Sequence, residues 1–210
     1  LGACATQYAS EYMDVEVRRD GQIHRLHFEK GENIGGLNSE PTRFKATGTK
    51  IRWKPDIEVF TDTDIPKEYF LNVLKKQAVV NTGVKFLFHC QNDDGSFEEF
   101  EFLYENGIID YVKELAGESS LTLPVFYETE RKGRDREDKQ DYKVKLSVAF
   151  CFSNEVSVTE YYHNSSYLEH GGSPDKAVRS AFVSVIDQYI KQNDKYKKNE
   201  SKIKYEDVED

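Results

Sequence analysis

Polar and apolar residues alternate across Met13-Asp14-Val15-Glu16-Val17-Arg18-Arg19, the period of a half-buried β-strand. Asp20-Gly21 follows, a dipeptide suited to a tight hairpin turn, and Ile23, Leu26 and Phe28 mark the returning strand. Ahead of this hairpin, residues 2–12 read as a short helix with Ala3, Ala5 and Tyr8 on its inner side. Gly31 to Thr42 reads as loop, and Lys50 to Trp53 as a third strand closed by Lys54-Pro55-Asp56. Together these pieces make one face of a sheet with a helix laid on it. So short a stretch closes a core poorly by itself, and the reading expects a partner or further chain to finish it.

A second unit is expected from about Val59. Asp64-Ile65-Pro66 opens a helix with proline in its first turn, and Tyr69, Phe70, Val73, Leu74 and Ala78 recur at helical spacing. Val84, Phe86, Phe88 and Cys90 alternate as a strand, Asn92-Asp93-Asp94-Gly95 turns the chain, and Phe97, Phe100, Phe102 and Tyr104 return it. Gly107 to Leu115 reads as a short helix, and Val125–Glu130 and Lys143–Cys151 as strands on either side of an exposed charged loop, Arg131 to Asp141. Val156, Val158 and Tyr161 suggest a further strand, broken by Gly171-Gly172. Ser173-Pro174-Asp175 then offers a capping hydroxyl, a first-turn proline and an acid at the positive helix end. A wide apolar stripe follows from Ala177 through Ala181, Val185 and Tyr189 to Ile190, and Ile203 and Val208 hint at a last helical piece.

Composition narrows the function. The 210 residues carry a formal net charge of -9, so no broad polycationic face is available for tight binding to DNA, although a local basic patch is compatible. The 13 tyrosines and 13 phenylalanines argue for a packed core. Three well-separated cysteines, Cys4, Cys90 and Cys151, suit a reducing compartment, and no C-x-x-C spacing suggests a metal site. No apolar run approaches the roughly 18–20 residues of a membrane span. The reading is a cytoplasmic piece of a larger protein.

Candidate chemistry is sparse. Gly2 stands where a loop becomes a helix, either a plain cap or a close approach to phosphate. Thr47-Gly48-Thr49 is either a simple turn or a strand entrance that holds a base or an ordered water. His163 and His170, near Glu160 and Glu169, have neither ligand spacing nor a strained nucleophile beside them and read as loop or packing residues. Lys176 and Arg179 are either solvated or lining a passage for DNA. The aromatic strands at Phe86, Phe88, Phe97, Phe100 and Phe102 could stack bases, but Glu98, Glu99 and Glu101 beside them repel a phosphate backbone.

The ordered set of short motifs resembles the ATPase region of type IIA topoisomerases, the gyrase B and topoisomerase IV family. Gly2-Ala3-Cys4-Ala5-Thr6-Gln7-Tyr8 looks like that family's helix after the ATP lid, and Asp20-Gly21-Gln22-Ile23-His24-Arg25 like its hairpin. Thr47-Gly48-Thr49 with Arg52-Trp53-Lys54-Pro55-Asp56 matches its Thr-Gly-Thr strand, and Val80-Asn81-Thr82-Gly83-Val84 its Leu-Asn-x-Gly element. Tyr104 to Val112, Glu169-His170-Gly171-Gly172-Ser173 and Glu206-Asp207-Val208 continue the series, with Ser173-Pro174 in place of the family's Thr-His.

This resemblance implies an α+β chain: a partial GHKL (Bergerat) α/β sandwich over residues 1–58, then a transducer domain over 59–210 with a βαβ unit and a mixed sheet packed by helices. It implies ATP and Mg²⁺ as cofactors of the parent protein, with Gly2 beside the terminal phosphates, Thr49 near the adenine and Ile51 lining the base pocket. No catalytic residue and no metal ligand is expected here. The family's catalytic Glu, Mg²⁺-ligating Asn, adenine-reading Asp and lid would precede Leu1, and its Gln-Thr-Lys loop would follow Asp210, so this piece alone is expected not to hydrolyse ATP. The implied partners of the parent enzyme are DNA, a gyrase A-like cleavage subunit and a second copy in an ATP-dependent dimer, with no membrane. A MutL-like mismatch-repair ATPase, a chaperone or a non-catalytic domain with a borrowed fold are the alternatives.

Overall fold

Alternation at Met13–Arg19 is realised in a strand, β1 (Ser10–Arg19), which pairs antiparallel on both sides. The structure is a computed structural model that describes residues 2–134 and 136–209; Leu1, the loop end of the first motif, lies outside it together with Asp135 and Asp210. The chain folds as two units that divide between Pro66 and Lys67.

In the first unit a helix, α1 (Gly2–Tyr8), leads into a four-stranded sheet of order β3-β2-β1-β4, with β2 at Gln22–Glu29, β3 at Glu32–Pro41 and β4 at Gly48–Pro55. The helix ends four residues earlier than the sequence suggests, and Ala3, Ala5 and Tyr8 face water. Seven residues are too few for a helix to hold itself together, so tertiary contacts must fix α1. The segment expected as loop after Gly31 is the strand β3. Its ten exposed residues carry no alternating signal because an edge strand needs only backbone pairing, and its register against β2 shifts between Arg25 and His27.

Cross-strand partners sort this sheet into two unlike faces. Met13, Val15 and Val17 share one with Leu26, Phe28, Ile51 and Trp53; Asp14, Glu16, Arg25, His27 and Arg52 share the other. On the first face only Met13 is buried.

The second unit is built from α2 (Lys67–Val80), the hairpin β5 (Phe86–Gln91) and β6 (Phe97–Phe102), α3 (Ile108–Ala116), the hairpin β7 (Val125–Gly133) and β8 (Tyr142–Phe150), a small ribbon of β9 (Tyr162–His163) and β10 (Ser166–Tyr167), α4 (Gly172–Gln192) and α5 (Glu206–Glu209). The α+β class holds. Every ladder among the described residues is antiparallel, so the parallel pairing of a βαβ unit is not among them. Ala78, Val79 and Tyr104 form the core, with Val80, Phe86, Phe102, Ile108 and Tyr111 packed around them. Phe88 and Phe100 stack on each other at a centroid separation of 6.0 Å, and Phe70 stacks on Phe88 at 5.6 Å, which uses these rings in packing and leaves no platform for bases.

Three further expectations change. Val156 and Val158 lie outside any assigned strand, because Ser153 Oγ accepts the Glu155 and Val156 amides and curls the chain there. Ser173 does not cap α4; the helix starts one residue earlier, after Gly171 at φ +64°. The apolar stripe of α4 is narrow: Val185 and Tyr189 are exposed, and the one buried residue is Asp187, which binds Lys191 at 2.7 Å and the Tyr196 hydroxyl at 2.8 Å as the C-terminal segment folds back.

Gly107 precedes α3 at φ +64°, and a β-carbon there would overlap Thr82 Oγ1. Gly107→Ala is therefore expected to destabilise the second unit by about 1–3 kcal/mol, from left-handed strain and the clash together. Urea unfolding checks this, and an unchanged midpoint would contradict it.

Candidate functional site

The first unit is pinned at one end of β1. Ser10 is fully buried, its hydroxyl donating to the Thr6 carbonyl inside α1, and its register partner is Pro55 at the end of β4. Asp56, 6 % exposed, follows directly. Its amide donates to the Ala9 carbonyl at 3.0 Å, and its Oδ1 accepts the Glu58 amide at 2.9 Å. The Val59 and Phe60 amides both donate to the Asp56 carbonyl, so the chain leaving the sheet coils around this one residue. Lys30, at the β2–β3 turn, pairs with Glu58 and lies 3.8 Å from Asp56 Oδ2. Lys54 and Glu11 pair at 2.6 Å beside them.

Thr49 and Ile51 stand toward the far end of β1. Thr49 faces Val17 and Ile51 faces Val15, so both lie on the open apolar face, where Ile51 is 51 % and Trp53 43 % exposed. Gly2 is the first residue of α1, the helix that meets the sheet through β1. It is exposed, and a β-carbon there would meet nothing within 4 Å. The fold of this chain therefore imposes no demand for glycine at position 2. What the arrangement offers chemically is a flat apolar wall with a hydroxyl at its edge, the surface a planar base packs against.

The opposite face is a lattice of charges. Arg25 is held by Glu16 at 3.0 Å and by Glu40, and Arg18 lies 3.5 Å from Glu16. His27 Nδ1 meets Asp14 at 2.7 Å and its Nε2 meets Glu29 at 3.3 Å. The Asp14 hydrogen bond, then that to Glu29, raises the His27 pKa. Arg52 lies over the Tyr12 ring, 5.6 Å from its centre.

In the second unit the residues singled out for chemistry have structural partners. Glu160 accepts the Tyr162 hydroxyl at 2.6 Å and the Tyr111 hydroxyl at 3.4 Å, and burial pushes Tyr111 up to about 12. Arg179 donates to Asp175 at 2.8 Å, lies 3.7 Å from Glu209, and covers the Tyr205 ring at 4.2 Å. Burial also pushes Tyr161 up to about 12; its oxygen makes no hydrogen bond, although the Asp175 carboxylate adds to the shift. Among the described residues no group of three or more His, Cys, Asp or Glu side chains could hold a metal ion, and no helix is long and apolar enough to cross a membrane.

Sequence reading found Thr49 and Ile51 but missed Ser10, Lys30 and Asp56 as the residues that set the end of the sheet. The Pro55-Asp56 pair announced a strand end; nothing in it announced a buried carboxylate.

Residues 107–210 match the family model described as DNA gyrase B. The DNA gyrase B protein of Mycoplasmoides gallisepticum is 27% identical over 99% of this chain and 33% of its own length. That of Streptococcus pyogenes serotype M1 is 29% identical over 99% of the chain and 31% of its own. The chain thus spans about a third of the length of these curated relatives. Among solved structures, the 43K ATPase domain of Thermus thermophilus gyrase B, in complex with an aminocoumarin, superposes with a TM-score of 0.73 at 27% identity, over 99% of this chain and 54% of that one. The topoisomerase IV ATP-binding domain of Francisella tularensis, in complex with a small-molecule inhibitor, shares the fold with a TM-score of 0.64 at 21% identity, over 89% of this chain and 48% of that one.

The fold and these likenesses define part of the ATPase region of a type IIA topoisomerase. Residues 107–210 belong to the DNA gyrase B family, and the chain is related to gyrase B along nearly its whole length. The mismatch-repair and chaperone alternatives are not favoured.

The His27 pairs give a signed pH dependence. A pKa raised on folding stabilises the fold fully below the unfolded value near 6.5, and that contribution disappears as pH rises through the raised value. The stability gap between the wild type and His27→Gln should therefore be widest in mildly acidic buffer and close on going alkaline. Thermal melts across about pH 5–9 check this; a gap that widens with pH would contradict it.

Proposed function

We propose that this chain serves the energy-coupling region of a type IIA topoisomerase: the part up to about residue 58 supplies one wall of an ATP site, and the part from about residue 59 is the transducer that relays nucleotide state. The observation that carries the reading is the open apolar face of β4, where Thr49 and Ile51 sit side by side with Trp53 on a wall left largely uncovered in its own unit. Thr49 is placed near the adenine, Ile51 against its ring, and Gly2 beside the terminal phosphates. The unconstrained Gly2 supports this, since glycine there is explained by a ligand better than by the fold.

ATP supplies the phosphoanhydride whose binding and cleavage drive the conformational cycle. The residues of this chain bind and orient it through the base and shield the base from water. Mg²⁺ fits no described cluster, so its ligands belong to other parts of the site. In the resemblance, the family's water-activating Glu, Mg²⁺-binding Asn and phosphate-reaching Lys align with none of these residues. This chain alone is accordingly expected to have no turnover. In the parent enzyme, ATP would close a dimer and the transducer would pass that closure to the DNA-cleaving subunit; the setting is cytoplasmic.

Titration with a fluorescent ATP analogue tests the binding role. Ile51→Asp puts a charge on the wall and should weaken binding about ten-fold or more while leaving the melt unchanged, because position 51 is half exposed. Gly2→Val should weaken binding with equally little effect on stability. Equal affinity in wild type and Ile51→Asp would remove the adenine wall from the proposal, and phosphate release above the blank would overturn the expectation of no turnover.

A further inference from the structure

The β2–β3 turn touches two segments that are distant in sequence. On one side the Gln7 side-chain amide donates to the Gly31 carbonyl at 2.8 Å, and the Tyr8 ring lies so close that a β-carbon on Gly31 would overlap Tyr8 Cδ1. Both contacts reach the last turn of α1. On the other side the Lys30 backbone amide donates to the Glu11 carbonyl at 3.2 Å, and its ammonium pairs with Glu58 and approaches Asp56. The ammonium contacts reach the segment 56–60 by which the chain leaves the sheet.

The turn is built for the side chain it carries. Lys30 holds φ +45° and Gly31 φ +85°, a pair of left-handed residues of the kind that Asn-Gly or Asp-Gly usually fills. The β1–β2 turn of the same sheet follows the rule with Asp20-Gly21. A lysine in that position is strained relative to asparagine, and its Glu58 pair raises its pKa as an engaged ammonium should. The lysine is explained by what its long side chain reaches.

We infer that the Lys30–Gly31 turn is a relay: Gly31 and Gln7 position α1, Lys30 positions residues 56–60, and a shift of α1 is passed through the turn to the exit segment. Gln7, Lys30 and Gly31 are positioning residues. In the nucleotide-site reading above, on which its functional meaning rests, α1 feels the ligand and the exit segment is the first chain outside the sheet to respond.

Amide hydrogen exchange on the full chain tests the relay without nucleotide. Lys30→Asn suits the turn at least as well, so hairpin amides should stay protected while Glu58, Val59 and Phe60 exchange about three- to ten-fold faster. Gly31→Ala drives the Tyr8 ring away and should loosen both Ala9 and residues 58–60. Gln7→Leu, which leaves the turn glycine in place, keeps the test open should Gly31→Ala fail to fold; it too should speed exchange at both ends. Unchanged exchange at 58–60 in Lys30→Asn, or loosening confined to α1 in Gln7→Leu, would overturn the relay. Failure of the wild-type chain to bind the ATP analogue would sink the nucleotide reading and leave this mechanical coupling standing or falling by its own exchange data.

Discussion

Asp56 is a carboxylate held almost out of water, and the first unit is arranged to keep it satisfied. A buried ionised group without partners costs several kcal/mol in effective terms, so a fold that retains one must supply donors. Here they come from the next turn of chain, through the Glu58 amide, and from across the sheet, through the Lys30 ammonium at longer range. The backbone of the same residue ties to Ala9, just ahead of β1. One residue thus joins the start of the central strand, the end of β4 and the β2–β3 turn. Ser10 adds the last tie by gripping α1. With that end of the sheet fixed, α1 needs no buried residue of its own, which is how a seven-residue helix persists.

Fixing one end leaves the rest of the apolar face open. Val15, Val17, Ile51 and Trp53 form a continuous wall, while the reverse face spends its residues on ion pairs that water screens. A sheet with one charged and one apolar face is stable only when the apolar one is covered. This chain corresponds to 54% of the 43K gyrase B domain that it resembles, so the likeness by itself accommodates further structure beside that wall. Openness at β4 is therefore what a shared site would require.

Periodicity made most strands and helices legible. Hydrophobic alternation marked β1, β5, β6 and β8, and the Pro66 and Pro174 starts marked α2 and α4, because these elements bury one side and their sequence records it. The strand β3 was invisible for the complementary reason: Glu32 to Pro41 buries nothing, so its pairing with β2 rests on backbone groups that all sequences share. The wide stripe on α4 misled because apolar spacing records only what a helix could bury. Asp187 took the inner position through Lys191 and Tyr196, the latter supplied by a later segment. The candidate wall was legible through Thr47-Gly48-Thr49 and the residues after it. The Lys30–Asp56 end was not, since a buried charge and its partner across a turn leave no periodic trace.

The same use of charge bears on how DNA could be felt by the second unit. With a net charge of -9 the chain offers no general attraction to phosphate, so any contact has to be local. Arg179 is the basic residue best placed by α4, but its guanidinium is already committed to Asp175 and lies near Glu209 while stacking on Tyr205. A phosphate arriving there would have to exchange with a carboxylate, and the exchange would free Asp175 beside the buried Tyr161 hydroxyl, which makes no hydrogen bond of its own. Tyr161 could then donate to the released carboxylate. Engagement of an anion at Arg179 is thereby tied to a rearrangement at the start of α4, so that a contact on the surface of that helix is registered at its first turn.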